Sequence, residues 1–270
     1  MFRNYLKITL RQLWRNRLFT GLNIFGLSIG IAACWIIFQM VSYELSFDAD
    51  HPNADRIFKV VSRFKFDGNE SGNAGAPKPL ANAIRNEVAG VETVVGIYEN
   101  YISSLRVPQA TGKPMIFEDI EKIIATSNDY FKLVPYTWLA GTATAALSKP
   151  NQVVLTKSRA ERYFPNQNPA QMLGKTILYW DTLAVEVTGI VGDLGRSTSF
   201  EGQEFLSLAT VQSGDGMEGF TGTWAWGNTN SSDQIYGVAS PQTTSAQLNK
   251  QKPSRRPKVS PKWFRPKNER

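Results

Sequence analysis

From Leu18 to Tyr43 the chain runs 26 residues without a formal charge, LFTGLNIFGLSIGIAACWIIFQMVSY. As a helix this stretch is about 39 Å long, enough to cross a hydrocarbon core of about 30 Å with some tilt. A transmembrane helix over 18–43 is therefore expected. Arg3, Lys7, Arg11, Arg15 and Arg17 precede it with no acidic residue among them, whereas Glu44, Asp48, Asp50 and Asp55 follow closely. Basic residues beside a span stay on the cytoplasmic side, so the N-terminus is expected inside and everything after Tyr43 outside.

Two other readings of the segment fit its residues less well. A cleaved signal peptide has an apolar region of about 7–15 residues, and this one continues through Trp35-Ile36-Ile37-Phe38. Ile31-Ala32-Ala33-Cys34 resembles a lipoprotein acceptor site and holds the chain's one cysteine, yet the residues after Cys34 stay apolar. An uncleaved span fits better than either.

The leader has its own pattern. Arg3, Lys7, Arg11 and Arg15 recur every four residues and so share one stripe of a helix, with Phe2, Leu6, Leu10, Leu13 and Trp14 off it. Residues 1–17 read as a basic amphipathic helix lying on the inner membrane surface. A merely solvated leader is the alternative, but it would leave Leu13 and Trp14 in water. Within the span, Gly26-Leu27-Ser28-Ile29-Gly30 is a GxxxG. Small residues at Gly26 and Gly30 allow close approach of another helix, although glycine is also simply frequent in membrane helices.

The formal charge of +7 is unevenly spread, with net +5 in residues 1–17, +8 in residues 250–270 and −6 between them. The alkaline balance belongs to the two ends, and the acidic body argues against a nucleic-acid partner. One cysteine, in the span, excludes an intrachain disulfide and a cysteine-based metal site in the outer region. The one histidine, His51, lies beside Pro52 without a companion nucleophile or ligand and reads as a loop residue.

Residues 44–249 are expected to form one sizeable core, in one domain or two closely joined lobes. Strand character in 56–66 gives way to a Gly/Asn-rich loop over 67–76 and a helix over about 78–87, with Leu80, Ile84 and Val88 on one side. Strands are expected over 91–105 and 115–125, then a short helix at 129–131 capped by Ser127 or Asn128. A buried strand over 152–156 leads into a helix over 158–164 stopped by Pro165, and 175–179 with 184–191 suit a hairpin. Residues 133–148 are uncharged but contain Pro135 and Gly141, so loop and turn are expected there rather than a second span. The class is α+β, outside the membrane, on a single helical stalk.

No catalytic chemistry is legible. The chain lacks GxxxxGK[ST], HExxH and CxxC patterns, so no catalytic residue, cofactor site or metal site is assigned. Asn69-Glu70-Ser71 and Asn230-Ser231-Ser232 fit a glycosylation triplet, which arises often by chance. Glu118, Asp119 and Glu121 read as solvated surface. The Gly-rich stretch 213–230, with Trp224 and Trp226, reads as a loop or hairpin whose aromatic residues could also touch a partner.

The leader and span NYLKITLRQLWRNRLFTGLNIFGLSIGIA, the exit YELSFDADHPNADRIFKV, and SNDYFKLVPYTWLAGTATAALSKPNQVVLTKSRAERYFPNQNPAQMLGKTI followed by VEVTGIVGDL occur here in order. Together they resemble the N-terminal half of a MacB/FtsX-type ABC transporter permease, over roughly residues 1–210. The resemblance implies that 18–43 is the first transmembrane helix and that 44–249 is a MacB-like periplasmic core domain. It further implies an inner-membrane location, a separate cytoplasmic ABC ATPase subunit, a permease partner, and a role in export or mechanotransmission without catalysis by the outer domain itself.

There are departures. Phe164-Pro165 stands where the family usually has Phe-Gly, and Asp193-Leu194-Gly195-Arg196-Ser197-Thr198 replaces its usual continuation. The family carries three further membrane helices after the outer domain. Instead, residues 250–270 hold nine basic residues and four prolines, a composition expected to stay disordered and to mark a truncated or frame-disrupted permease. The alternative function is an independent membrane-anchored periplasmic binding or sensor protein without transport activity.

Overall fold

The computed structural model describes residues 2–47, 51–66, 69–109, 112–195, 198–212, 224–251 and 264–266. The chain divides into two units, Met1–Ala49 and Asp50–Arg270. The first holds two helices, α1 (Phe2–Arg15) and α2 (Arg17–Leu45). Asn16, at φ −107° and ψ 42°, leaves helical geometry and separates them. Across the break the Thr20 hydroxyl donates to the Leu13 carbonyl at 3.2 Å. No residue of α2 is buried, and a helix apolar all round its circumference needs lipid or protein around it. Its 29 residues are long and apolar enough to cross a membrane.

The second unit is built on a mixed ten-stranded sheet. Its strands are β1 (Ile57–Val60), β4 (Val91–Val107), β5 (Met115–Thr126), β6 (Trp138–Ala140), β7 (Gln152–Thr156), β8 (Thr176–Tyr179), β9 (Leu183–Val191), β10 (Glu204–Ser207), β11 (Asp233–Ala239) and β12 (Phe264–Pro266). The order is β12-β1-β11-β4-β5-β10-β7-β9-β6, with β8 pairing β4 and β9. β10 runs parallel to β5 and β7 parallel to β9, while the other pairs are antiparallel. A two-stranded hairpin, β2 (Ser62–Phe66) with β3 (Asn69–Asn73), stands apart from this sheet.

Strand alternation explains the layers, because neighbouring residues point to opposite faces. In β4, Val95 and Ile97 enter one core with Tyr130, Phe131 and Phe205, while Val94 enters a second core and Tyr98 a third. The second core lies under α3 (Pro79–Glu87), which buries Leu80, Ala81, Ala83 and Ile84. The third gathers the far half of β4 with β5, β7, β9 and α5 (Lys157–Tyr163). At its 17-residue length β4 reaches all three, and a bulge between Asn100 and Ile102 re-aims its second half. β7 and β10 are buried on both faces, which suits the apolar runs Val153-Val154-Leu155 in the first and Phe205-Leu206 in the second.

Most sequence expectations match these elements within a few residues, with instructive exceptions. The strand expected over 56–66 is two, divided at Val61. Asn69–Asn73, expected as loop, is a strand because its backbone pairs with β2, although its side chains are mostly exposed. Neither Ser127 nor Asn128 caps α4 (Tyr130–Leu133) by its side chain; Asn128 Oδ1 accepts instead from the Leu147 amide at 2.8 Å. Short elements not anticipated include α6 (Pro169–Met172), α7 (Leu208–Gln212) and α8 (Ser245–Lys250). The basic tail, expected to stay disordered, is ordered where it is described, because Lys250 ends α8 and the backbone of Phe264–Pro266 pairs with β1; 252–263 and 267–270 lie outside the described residues, as does most of the Gly-rich stretch 213–230.

Candidate functional site

In the first unit, Arg3, Lys7, Arg11 and Arg15 all lie exposed along α1, and Arg17 opens α2. Leu10, Leu13 and Trp14 on the same helix are exposed as well, Trp14 at 80%. Gly26 and Gly30 sit four residues apart on α2, and a Cβ at either would meet nothing within 4 Å. The helix surface there is open to a neighbour. Cys34 is exposed on the same helix.

Among its described residues the second unit carries two buried ion pairs that joint its elements. Lys78, at the N-terminus of α3, places Nζ 3.1 Å from Asp233 Oδ2 at the start of β11, and both side chains are at most 6% exposed. The Ala76 amide donates to the Asp233 carbonyl at 2.8 Å. Next to this joint a Cβ on Gly75 would fall 1.7 Å from the Asn230 carbonyl oxygen, so only glycine lets the two segments approach so closely. Burial raises the Asp233 carboxyl above its ordinary value, and the Lys78 ammonium opposes the rise.

The other joint centres on Glu204 of β10, fully buried in the third core. Arg159 of α5 lies 3.3 Å from Glu204 Oε1, while the Tyr163 and Tyr179 hydroxyls both donate to the carboxylate, Tyr179 at 2.7 Å. The Arg159 Nη2 donates onward to the Glu121 carbonyl at 2.9 Å and to Gln203 Oε1 at 2.6 Å. The carboxylate and its arginine together thus tie α5, β8, β10 and β5. Burial raises its pKa, with Arg159 the strongest opposing influence. Tyr163 and Tyr179 are raised too, by burial first and the nearby carboxylate second.

A small cavity of about 130 Å³ opens between the face of β11, β4 and β5 and the segment 199–202, lined by Ile97, Glu99, Lys122, Phe200, Gln234 and Tyr236 among others. Lys122 and Glu201 form a partly exposed ion pair at 2.9 Å beside it. Among the described residues no three His, Cys, Asp or Glu side chains converge as a metal site would require. His51 Nδ1 accepts from the Asn53 amide at 3.2 Å and its ring lies 6.1 Å from that of Phe200, which makes it part of the packing at the start of the domain.

Reading the sequence missed Lys78, Asp233, Arg159 and Glu204. Isolated charges in apolar surroundings were the available signal: Glu204 sits between Gly202-Gln203 and Phe205-Leu206, and Lys78 between two prolines.

The family model described as "MacB-like periplasmic core domain" matches residues 20–252. A domain of a candidate permease protein from Porphyromonas gingivalis shares the fold, with a TM-score of 0.57 and 18% identity over 74% of this chain and 80% of that one. The periplasmic region of MacB from Actinobacillus actinomycetemcomitans does likewise, with a TM-score of 0.52 and 17% identity over 76% of this chain and 84% of that one. No curated protein matches the chain in sequence.

Proposed function

Because this chain belongs to the MacB-like periplasmic core domain family, we propose that it serves as a permease-type component of a MacB/FtsX-like ABC system in the inner membrane. In this reading α2 is the anchor, the second unit stands in the periplasm, and a separate cytoplasmic ATPase subunit supplies the energy. The observation that carries the proposal is the direct attachment of a family-type α+β domain to an apolar 29-residue helix whose leader carries five basic residues and no acidic one. The outer domain receives motion through its stalk and passes it to a periplasmic partner. Its buried ionic joints suit that task, since a domain that transmits force must move as a body. A single helix encloses no path through a bilayer, so any export requires further membrane helices beside α2.

Affinity purification of the tagged chain from its native membranes in mild detergent tests this. An ABC ATPase should co-purify and hydrolyse ATP, and its recovery should fall sharply when residues 1–49 are replaced by an unrelated single-span anchor. Isolation of the chain without any ATPase would count against the permease reading. It would favour instead an independent membrane-anchored binding protein, for which the cavity beside Lys122 and Glu201 is the supporting observation.

A further inference from the structure

α1 is a separate helix rather than the first turns of the span, because Asn16 breaks the helical run one residue before α2. Its surface has two characters. Arg3, Lys7, Arg11 and Arg15 follow one another at four-residue intervals along about 18 Å of helix. Leu10, Leu13 and Trp14, three and four residues apart, form an exposed apolar strip beside them. The chain has no acidic residue before Glu44, so nothing within the leader or span neutralises the stripe.

We infer that α1 is a docking helix for anionic phospholipid, its apolar strip set at the acyl boundary and its four cations among negatively charged headgroups. The occupant is fixed by two features. The stripe is complementary in sign to an anionic lipid surface. The helix is also continuous, through one residue, with the segment that enters the bilayer, so the surface it meets first is that of the membrane itself. Trp14 lies at the edge of the strip, where an indole prefers the headgroup level. Docking there fixes the level of α2 in the membrane and makes it depend on lipid charge. This rests on α2 spanning the bilayer.

The test uses the full chain reconstituted into vesicles of phosphatidylcholine alone or mixed with phosphatidylglycerol. In a Cys34→Ser background, a nitroxide is attached at Leu13→Cys on the strip or at Asn4→Cys on the opposite side. Retention after carbonate washing depends on α2 and reports the anchor separately. In anionic vesicles the label at 13 should collide with membrane-dissolved oxygen and be shielded from a water-soluble nickel chelate, while the label at 4 should show the reverse. Each replacement of Arg3, Lys7, Arg11 or Arg15 by Gln should lower the docked-to-free ratio about fivefold, and 1 M salt should act in the same direction. A variant with lysine at all four positions should dock like the wild type, and its failure would overturn the charge mechanism. Equal docking in both lipid compositions would also overturn the inference. Absence of docking in either, with the chain still retained, would overturn it and assign the strip to a protein partner.

Discussion

Replacing Arg159 by Met keeps most of the buried stem and removes the guanidinium. Glu204, fully buried, then keeps the neutral hydroxyls of Tyr163 and Tyr179 as hydrogen-bond donors and only the more distant charge of Arg162. The Glu121 carbonyl and Gln203 Oε1 each lose a charged donor. Removing one partner of a buried pair costs about 3–5 kcal/mol, because the other charge stays in a medium that cannot solvate it. For a domain of this size that is roughly 6–20 °C in Tm. Replacing both partners, Arg159→Met with Glu204→Gln, removes the stranded charge and should cost well under the sum of the two single changes. pH sharpens the test. Burial holds the Glu204 carboxyl above its ordinary value of 4.5, so between 4.5 and the raised value the folded state keeps a proton that the unfolded chain has lost. The folded state therefore gains stability as pH falls through that window and loses it as pH rises. Without Arg159 the window extends upward, so the deficit of Arg159→Met should be greatest near pH 8 and shrink toward pH 5. Urea unfolding of residues 50–270 at several pH values measures this. A deficit below about 1 kcal/mol, or one independent of pH, would refute the picture of Glu204 as a buried carboxylate held by its cation.

Gly75→Ala forces a carbon against the Asn230 carbonyl and should cost about 1–3 kcal/mol as the two segments part, seen as a lower urea midpoint; an unchanged midpoint would show that the contact yields freely. Gly26→Leu with Gly30→Leu should reduce helix association in a membrane reporter assay several-fold while insertion stays intact, if α2 packs against a partner through its small face. Cys34→Ser should leave membrane attachment and mass unchanged, whereas release from the membrane would establish lipidation at that residue.

What could be read from the sequence was what a local pattern determines. The apolar run from Leu18 to Tyr43 gave the long helix, Leu80, Ile84 and Val88 gave α3, and the alternation in Val185, Val187 and Gly189 gave β9 with its hairpin partner. The turn between β8 and β9 puts Trp180 and Asp181 at positive φ, which neither residue type announces. Asn69–Asn73 has little strand propensity, and its pairing comes from β2 alone. The joints were least legible. Lys78 and Asp233, like Arg159 and Glu204, are distant in sequence and carry charges that in a linear reading belong on the surface. Only the sheet order, which sets β11 beside β4 and β10 between β5 and β7, brings each pair inside. The capping boxes Asn168/Gln171 and Thr244/Gln247 were in principle readable, being a hydroxyl or amide residue followed three places later by glutamine.

The placement of the second unit outside the inner membrane, on one helix with its leader inside, is tested most directly by protease added to whole cells whose outer membrane has been permeabilised. The 30.1 kDa chain should be cut to a small membrane-held fragment containing α1 and α2, with an epitope placed before Phe2 surviving until the cells are lysed. A full-length chain protected in intact cells and cleaved only after lysis would contradict that placement.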